Sequence, residues 1–370
     1  MFDEMDKFLI AFATVPGIGP ARTKLLIDYF GDAQKAWEAP SAELAKTGLS
    51  QNVLHELLEQ RQKLNFSQYL SNLDKRGIKW LTINNPDYPQ SLTNIPDPPL
   101  ILFIRSNLNT TEFQSLIEGK IIGVVGTRKM TSYGQEVTQN LVSGLVAAGF
   151  VIVSGMALGI DGVAHGTAIN CGGKTIAVLG AGVDVIYPSS HRDLYNHILE
   201  SGGAIVSEVA PEKTVSKGIF PARNRIISGL SQAVLVTEGA LDSGSLITAR
   251  LAIDQGREVF AVPGPINSAM AQGTNYLLKN GAKLVTSVED ILEGLGYDTN
   301  KASKTSNSVT KIKGGTPEEQ VILDLLYIEP RDFDELVRLT GINAGSLGGI
   351  IGKMEIEVHV INKSGMYKLP

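Results

Sequence analysis

Apolar residues recur at helical spacing through roughly the first 75 positions, then the pattern breaks. Val15-Pro-Gly-Ile-Gly-Pro20, followed by Ala21 to Gly31, has the form helix, tight glycine turn, helix, with Leu25, Leu26, Tyr29 and Phe30 expected to supply the buried face. A weaker helical pair is expected over 41–64, around Gly48 to Asn52. From Trp80 to Arg105 the prolines at 86, 89, 96, 98 and 99 predict an extended connector with one strand, Leu100 to Arg105. Beyond residue 121 short β-branched runs alternate with helix-length segments. Strands are expected at Ile121–Val125, Val151–Ser154, Thr175–Leu179, Ala204–Ser207, Ala233–Thr237, Glu258–Val262 and Lys283–Thr286. Strands apolar on both faces and separated by helices imply a parallel sheet covered on each side. The polar stretch 297–316 reads as a flexible linker. Three helices and a β-hairpin turned by Lys363-Ser-Gly365 follow, the outline of a winged helix.

The fold expected is therefore α/β. A Rossmann-like parallel sheet domain (79–296) follows a helical helix-hairpin-helix domain (1–78), and a winged-helix-like domain (317–370) follows the linker. Ligands of such sheets sit at the carboxyl ends of the strands.

Charge narrows what those ligands can be. The 370-residue chain carries a net charge of −5, so a protein that coats duplex DNA with its whole surface is excluded; any nucleic-acid site must be a local basic patch. One cysteine, Cys171, excludes an internal disulfide framework and suits a reducing, cytoplasmic setting. No signal peptide or membrane-spanning run is expected. The histidines and the cysteine lack ligand-pair spacing, so neither a metal site nor a cofactor is expected.

The patch is found at Lys217-Gly-Ile-Phe-Pro-Ala-Arg-Asn-Arg225. Lys217, Arg223 and Arg225 surround one aromatic, Phe220, and cations beside a ring on which a base can stack are the ingredients of single-strand binding. Two readings of Phe220 stand side by side, base stacking and a buried helix staple. Arg223, Asn224 and Arg225 occupy successive positions and cannot share one solvent face, so at least one is expected to pair internally, with Glu238 or Asp242 as candidates.

Three strand ends are rich in glycine. Gly123-Val-Val-Gly126-Thr127-Arg128 puts backbone amides and a planar guanidinium where a helix begins, a phosphate-binding arrangement or simply a tight turn. It is not G-x-G-x-x-G, and no ribose-binding acid ends the next strand, which argues against a nicotinamide cofactor. Ser154-Gly155-Met-Ala-Leu-Gly159-Ile-Asp161-Gly-Val-Ala-His165 makes a second nest. Asp161 and His165 stand at i and i+4, and with Ser154 they suggest a hydrolase triad. The nucleophile-elbow pattern is missing, so a hydrogen bond at the helix start is the reading preferred. Thr237-Glu-Gly-Ala-Leu-Asp-Ser243-Gly244-Ser245 offers further amides and hydroxyls to a phosphate backbone.

Taken together, Gly-Thr-Arg128, Ser154-Gly-x-Ala-x-Gly-Ile-Asp161-x-x-Ala-His165, Gly180-x-Gly-x-Asp-x-x-Tyr187-Pro188, Phe220-Pro-x-Arg-Asn-Arg225, Val236-Thr-Glu-Gly-x-x-x-Ser243-Gly244-Ser245 and Pro263-Gly-Pro265 resemble, in order, the DNA-processing protein A (Smf) family. The resemblance extends to both terminal modules. It implies a homodimeric, non-enzymatic protein that binds single-stranded DNA, protects incoming strands in natural transformation and loads a RecA-type recombinase. It also implies DNA contacts from Arg128, Lys217, Phe220, Arg223, Asn224, Arg225, Ser243 and Gly244, with backbone contacts from Gly126, Thr127, Gly155 and Gly159.

Departures from a duplex reader are plain at both ends. The would-be recognition helix contains Gly345, Gly348, Gly349 and Gly352, each costing up to ~1 kcal/mol relative to alanine, and Lys353 is its one cation. Residues 315–370 hold five Lys or Arg against nine Asp or Glu, and residues 1–75 hold eight against ten. Protein-contact or structural roles suit both modules better than groove reading. The rival function is a nucleotide phosphoribohydrolase on a related scaffold, with Glu238 as its acid. The stretch 237–245 lacks that class's leading proline and terminal glutamate.

Overall fold

The computed structural model describes residues 6–214, 219–298, 314–357, 359–363 and 365–369, with the backbone alone for Ile219, Phe220 and Lys363. The chain divides into two compact units, 1–304 and 305–370.

In the larger unit a nine-stranded sheet has the order β1-β2-β6-β5-β4-β3-β7-β8-β9. The strands are β1 (Ile78–Thr82), β2 (Ile101–Arg105), β3 (Lys120–Val125), β4 (Phe150–Ser154), β5 (Thr175–Val178), β6 (Ala204–Ser207), β7 (Ala233–Val236), β8 (Glu258–Ala261) and β9 (Lys283–Leu284). From β6 across to β9 every pairing is parallel, while β1–β2 and β2–β6 are antiparallel. Alternation within β3 shows why these strands are apolar throughout. Ile121 and Val125 join the core on one face, and Ile122 and Val124 join the core on the other. Val234, Leu235 and Val236 of β7 are likewise fully buried, each burial contributing about 1.5–3 kcal/mol.

Two details differ from expectation. β1, which begins at Ile78, lies in what reads as helix end and connector; its strand character comes from pairing along its whole length with β2. In the helix Pro20–Phe30, Leu26 is fully buried, but Leu25 and Tyr29 are 45% and 50% exposed. Adjacent apolar residues on a helix diverge by about 100°, so only part of that run can face the core.

The N-terminal helices share a core of Phe8, Phe12, Trp37, Leu44 and Leu57, and reach the sheet through Ile10 and Leu73, which pack with Ile78, Ile101 and Phe103. The direction of strand growth positions the site. Proceeding from β3 the chain adds β4, β5 and β6 on one side, then returns to add β7, β8 and β9 on the other. The loops leaving β3, β4 and β7 therefore part at one crevice, the topological switch point of an open sheet.

The smaller unit has helices Pro317–Ile328, Phe333–Thr340 and Ala344–Ile356 and a three-stranded sheet, with β12 (Met366–Lys368) between β10 (Arg331–Asp332) and β11 (Ile361–Lys363). Its third helix forms despite four glycines because Asn343 caps it and Leu347, Ile351 and Met354 bury one side. Lys353 is committed to Glu319 at 2.8 Å, and Glu319 closes a capping box with Thr316.

Candidate nucleic-acid interface

At the switch point a cleft of about 530 Å³ is lined by Gly126, Thr127, Arg128, Lys129, Asp161, Arg223, Asn224, Ser243, Gly244 and Ser245, among others. Arg128 and Lys129 are exposed. Ser243 caps the helix Gly244–Asp254, its hydroxyl accepting from the Ser245 amide at 3.3 Å. The positive end of that helix dipole thus opens on the cleft. Asn224 reaches the same place from the helix Ile219–Leu230, donating to the Gly244 carbonyl at 3.4 Å. A smaller cavity of about 60 Å³ adjoins it, shares Arg128 and Arg223, and is lined by Gly155, Leu158 and Tyr187.

The loop after β4 forms one wall. Gly159 has φ 79°, and a Cβ there would lie 2.3 Å from the Thr127 carbonyl, so the loops after β3 and β4 touch only because this residue is glycine. Met156 also adopts a left-handed φ of 59°, at a cost of ~1–3 kcal/mol. Asp161 holds it there: its carboxylate accepts from the Gly155 amide at 3.1 Å and the Ala157 amide at 3.3 Å, on either side of the strained residue. The Gly155 amide is therefore already occupied.

Arg223 is buried. Its guanidinium donates to the Val178 carbonyl at 2.7 Å and to the Gly155 carbonyl. Burial pulls its pKa down to about 10, against the attraction of Asp161, so it stays cationic at neutral pH. Burial likewise drives the Asp161 carboxyl up, opposed by Arg223 and the two amides. Arg225 faces elsewhere. It donates to Glu208 at 2.6 Å and Asp97 at 3.1 Å, with both Arg225 and Glu208 side chains 7% exposed. An internal partner was expected for this triplet, but it is not Glu238 or Asp242: the first carboxylate is bound to Thr131, and Asp242 lines the cleft. Lys217 lies outside the described residues. Phe220 sits in the first turn of the helix Ile219–Leu230.

The expected Asp161–His165 bond is not formed. His165 is fully buried with Nδ1 2.6 Å from the Thr175 hydroxyl, while Ser154 donates to the Val124 carbonyl at 2.6 Å. The three side chains thus do not line up as a triad: His165 is turned to Thr175, and Asp161 to the Gly155 and Ala157 amides. Lys129 is the cleft residue that motif reading passes over. Its signal was present, a second cation directly after Arg128.

A larger cavity, about 660 Å³, lies between the first helical hairpin and the loop after β6. Its lining is mostly apolar and includes Glu208 and Glu212; Lys213 is its cation, and burial lowers that amine to about 8 while it donates to the Ala13 carbonyl at 2.9 Å. That charge balance does not suit a polyanion. The smaller, glycine-rimmed cleft does.

Comparison with known proteins decides the family. A family model described as DNA recombination-mediator protein A matches residues 79–296. The chain belongs to that family. A second model, the DprA winged helix domain, matches residues 307–366. Among curated members, Protein Smf of Synechocystis sp. is 34% identical over 396 aligned positions, covering 99% of each chain. DNA processing protein DprA of Bacillus subtilis is 40% identical over 269 positions, 70% of this chain and 89% of its own. The X-ray structure of the family member from Streptococcus pneumoniae aligns with TM-score 0.64 and 32% identity over 79% of this chain and 98% of that one. DNA processing protein A from Helicobacter pylori, solved for its single-stranded DNA binding mode, aligns with TM-score 0.51 and 31% identity over 60% and 98%. Membership also accounts for the winged-helix outline of the smaller unit. Among the described residues no helix is long and apolar enough to cross a membrane.

Proposed function

We propose that this recombination-mediator protein binds single-stranded DNA along the cleft at the switch point and delivers it to a RecA-type recombinase. One observation carries the reading. Arg128, Lys129, the Gly126–Thr127 turn and the amino end of the Gly244–Asp254 helix all open on one cleft in a chain whose net charge is −5. Exposed cations meet phosphates, and the buried Arg223 fixes the wall they stand on. In this reading Gly155 leaves room for the Arg223 guanidinium and Gly159 lets two loops approach, and neither donates its amide to the strand. Lys217 and Phe220 are proposed as further strand contacts on the family resemblance alone, while Arg225 is a structural residue, paired with Glu208 and Asp97. The solved relative described for single-stranded DNA binding agrees with it.

The protein then works without a catalytic step, in the cytoplasm, as a homodimer through its sheet-bearing unit. Protection of incoming strands in natural transformation is the setting proposed. The carboxylate of Glu238, tied to Thr131, is not presented to the cleft as a phosphoribohydrolase acid would be.

Titration of labelled oligo-dT and of duplex DNA across a range of salt tests the reading. Preference for the single strand is expected, with log affinity falling against log salt by about 0.7 per phosphate engaged. Equal affinity for duplex, or no dependence on salt, would overturn it.

A further inference from the structure

We infer that Glu238 is a positioning residue for the phosphate-binding turn, aiming Arg128 and Lys129 although it carries the wrong charge for DNA. The inference rests on the single-strand reading above and deepens it. Glu238 follows β7, is 3% exposed, and touches both ends of the turn that carries the two cations. Its backbone carbonyl accepts from the Thr127 amide at 2.8 Å. One carboxylate oxygen accepts from the Thr131 amide at 2.8 Å, and the other accepts from the Thr131 hydroxyl at 2.6 Å. Residues 127 and 131 are thereby clamped to one residue of the loop after β7, and the segment between them must arch outward.

The helix that follows is shaped around the same group. A Cβ at Gly134 would lie 2.1 Å from the Glu238 carboxylate, so glycine there leaves the space it occupies. Thr131 in turn caps that helix, its hydroxyl accepting from the Gly134 amide at 3.2 Å. Both carboxylate oxygens are thus engaged by Thr131, one by an N–H and one by an O–H, and no ion pair to Glu238 is found among the described residues. A buried carboxylate placed beside a polyanion site lowers affinity through charge alone. Its benefit must then lie in geometry, since both oxygens hold Thr131 through charge-assisted bonds that a neutral amide makes more weakly.

The test uses full-length protein and labelled oligo-dT by fluorescence anisotropy, with Glu238→Gln, Arg128→Ala and the double variant. Glu238→Gln removes a negative charge yet is expected to weaken binding about tenfold and to lower the salt slope by about 0.7, the share of one phosphate. In the Arg128→Ala background the same change is expected to cost less than about twofold, because the group it aims is gone. Binding by Glu238→Gln as tight as the parent or tighter overturns the inference, as does an undiminished loss in the Arg128→Ala background. Should Glu238→Gln fail to fold, Gly134→Ala displaces the carboxylate sterically and is judged by the same two criteria. Failure of the parent protein to bind oligo-dT overturns the single-strand reading itself, a distinct result.

Discussion

Arg128 and Arg225 share one side-chain chemistry and have opposite fates. Arg128 stands exposed at the end of β3, on the lip of the cleft. Arg225 is sealed against Glu208 and Asp97, and Arg223 is buried in the wall. A cluster of cations in a sequence therefore marks two different things: groups offered to a ligand, and groups used to hold the surface that offers them. Local charge density does not separate the two. What separates them is burial: Arg128 is exposed, while Arg223 and Arg225 are buried against carbonyls and carboxylates from other loops.

The comparison is broken most forcefully at Arg225. Arg225→Ala leaves Glu208 buried without its cation and is expected to cost about 3–5 kcal/mol in urea unfolding. Arg225→Met with Glu208→Leu should restore most of it, because the charge that needed compensation has gone as well. Next comes Arg223→Ala, which removes bonds to Val178 and Gly155 and isolates Asp161. A loss of about 2–3 kcal/mol in stability is expected, with weakened oligo-dT binding alongside, measured by unfolding and anisotropy on the same preparation.

At the lip the sign of the comparison reverses. Arg128→Ala is expected to leave stability within about 0.5 kcal/mol of the parent and to weaken oligo-dT binding by about tenfold, or ~1.4 kcal/mol. Equal losses of stability and affinity would show that Arg128 belongs with the buried class.

A last probe is pH acting on the buried layer, whose effect near neutral pH is small. Burial holds His165 neutral, its pKa lowered from 6.5 to about 3. Between those values the unfolded chain binds a proton that the native state refuses, so this contribution is intact above pH 6.5 and is lost progressively toward pH 3. The slope is at most ~1.4 kcal/mol per pH unit. His165→Gln should flatten the dependence of unfolding free energy on pH over that window.

How much of this was legible beforehand follows the range of the interactions. Strand placement from β3 to β8 agrees to within a residue or two, because β-branched runs buried on both faces leave a local record. So do the glycine turns that line the cleft. β1 left none: Ile78–Thr82 owes its strand character to β2, more than twenty residues on. The partners of Arg225 were equally hidden, since Asp97 and Glu208 come from two other loops. Asp161 and His165 do share a helix, yet each turns to a different strand end, a choice made by tertiary packing.

The sheet grows outward from β3 in two directions, and that order of construction has a consequence during synthesis. The cleft is stitched from loops 126–131, 154–161 and 237–245, so it does not exist until the second half of the sheet has been made and has returned to β3. A nascent chain still on the ribosome, lacking β7 and the turn after it, has one wall of the groove and nothing opposite. Whatever binds in the cleft must therefore wait until translation has passed the last of those loops.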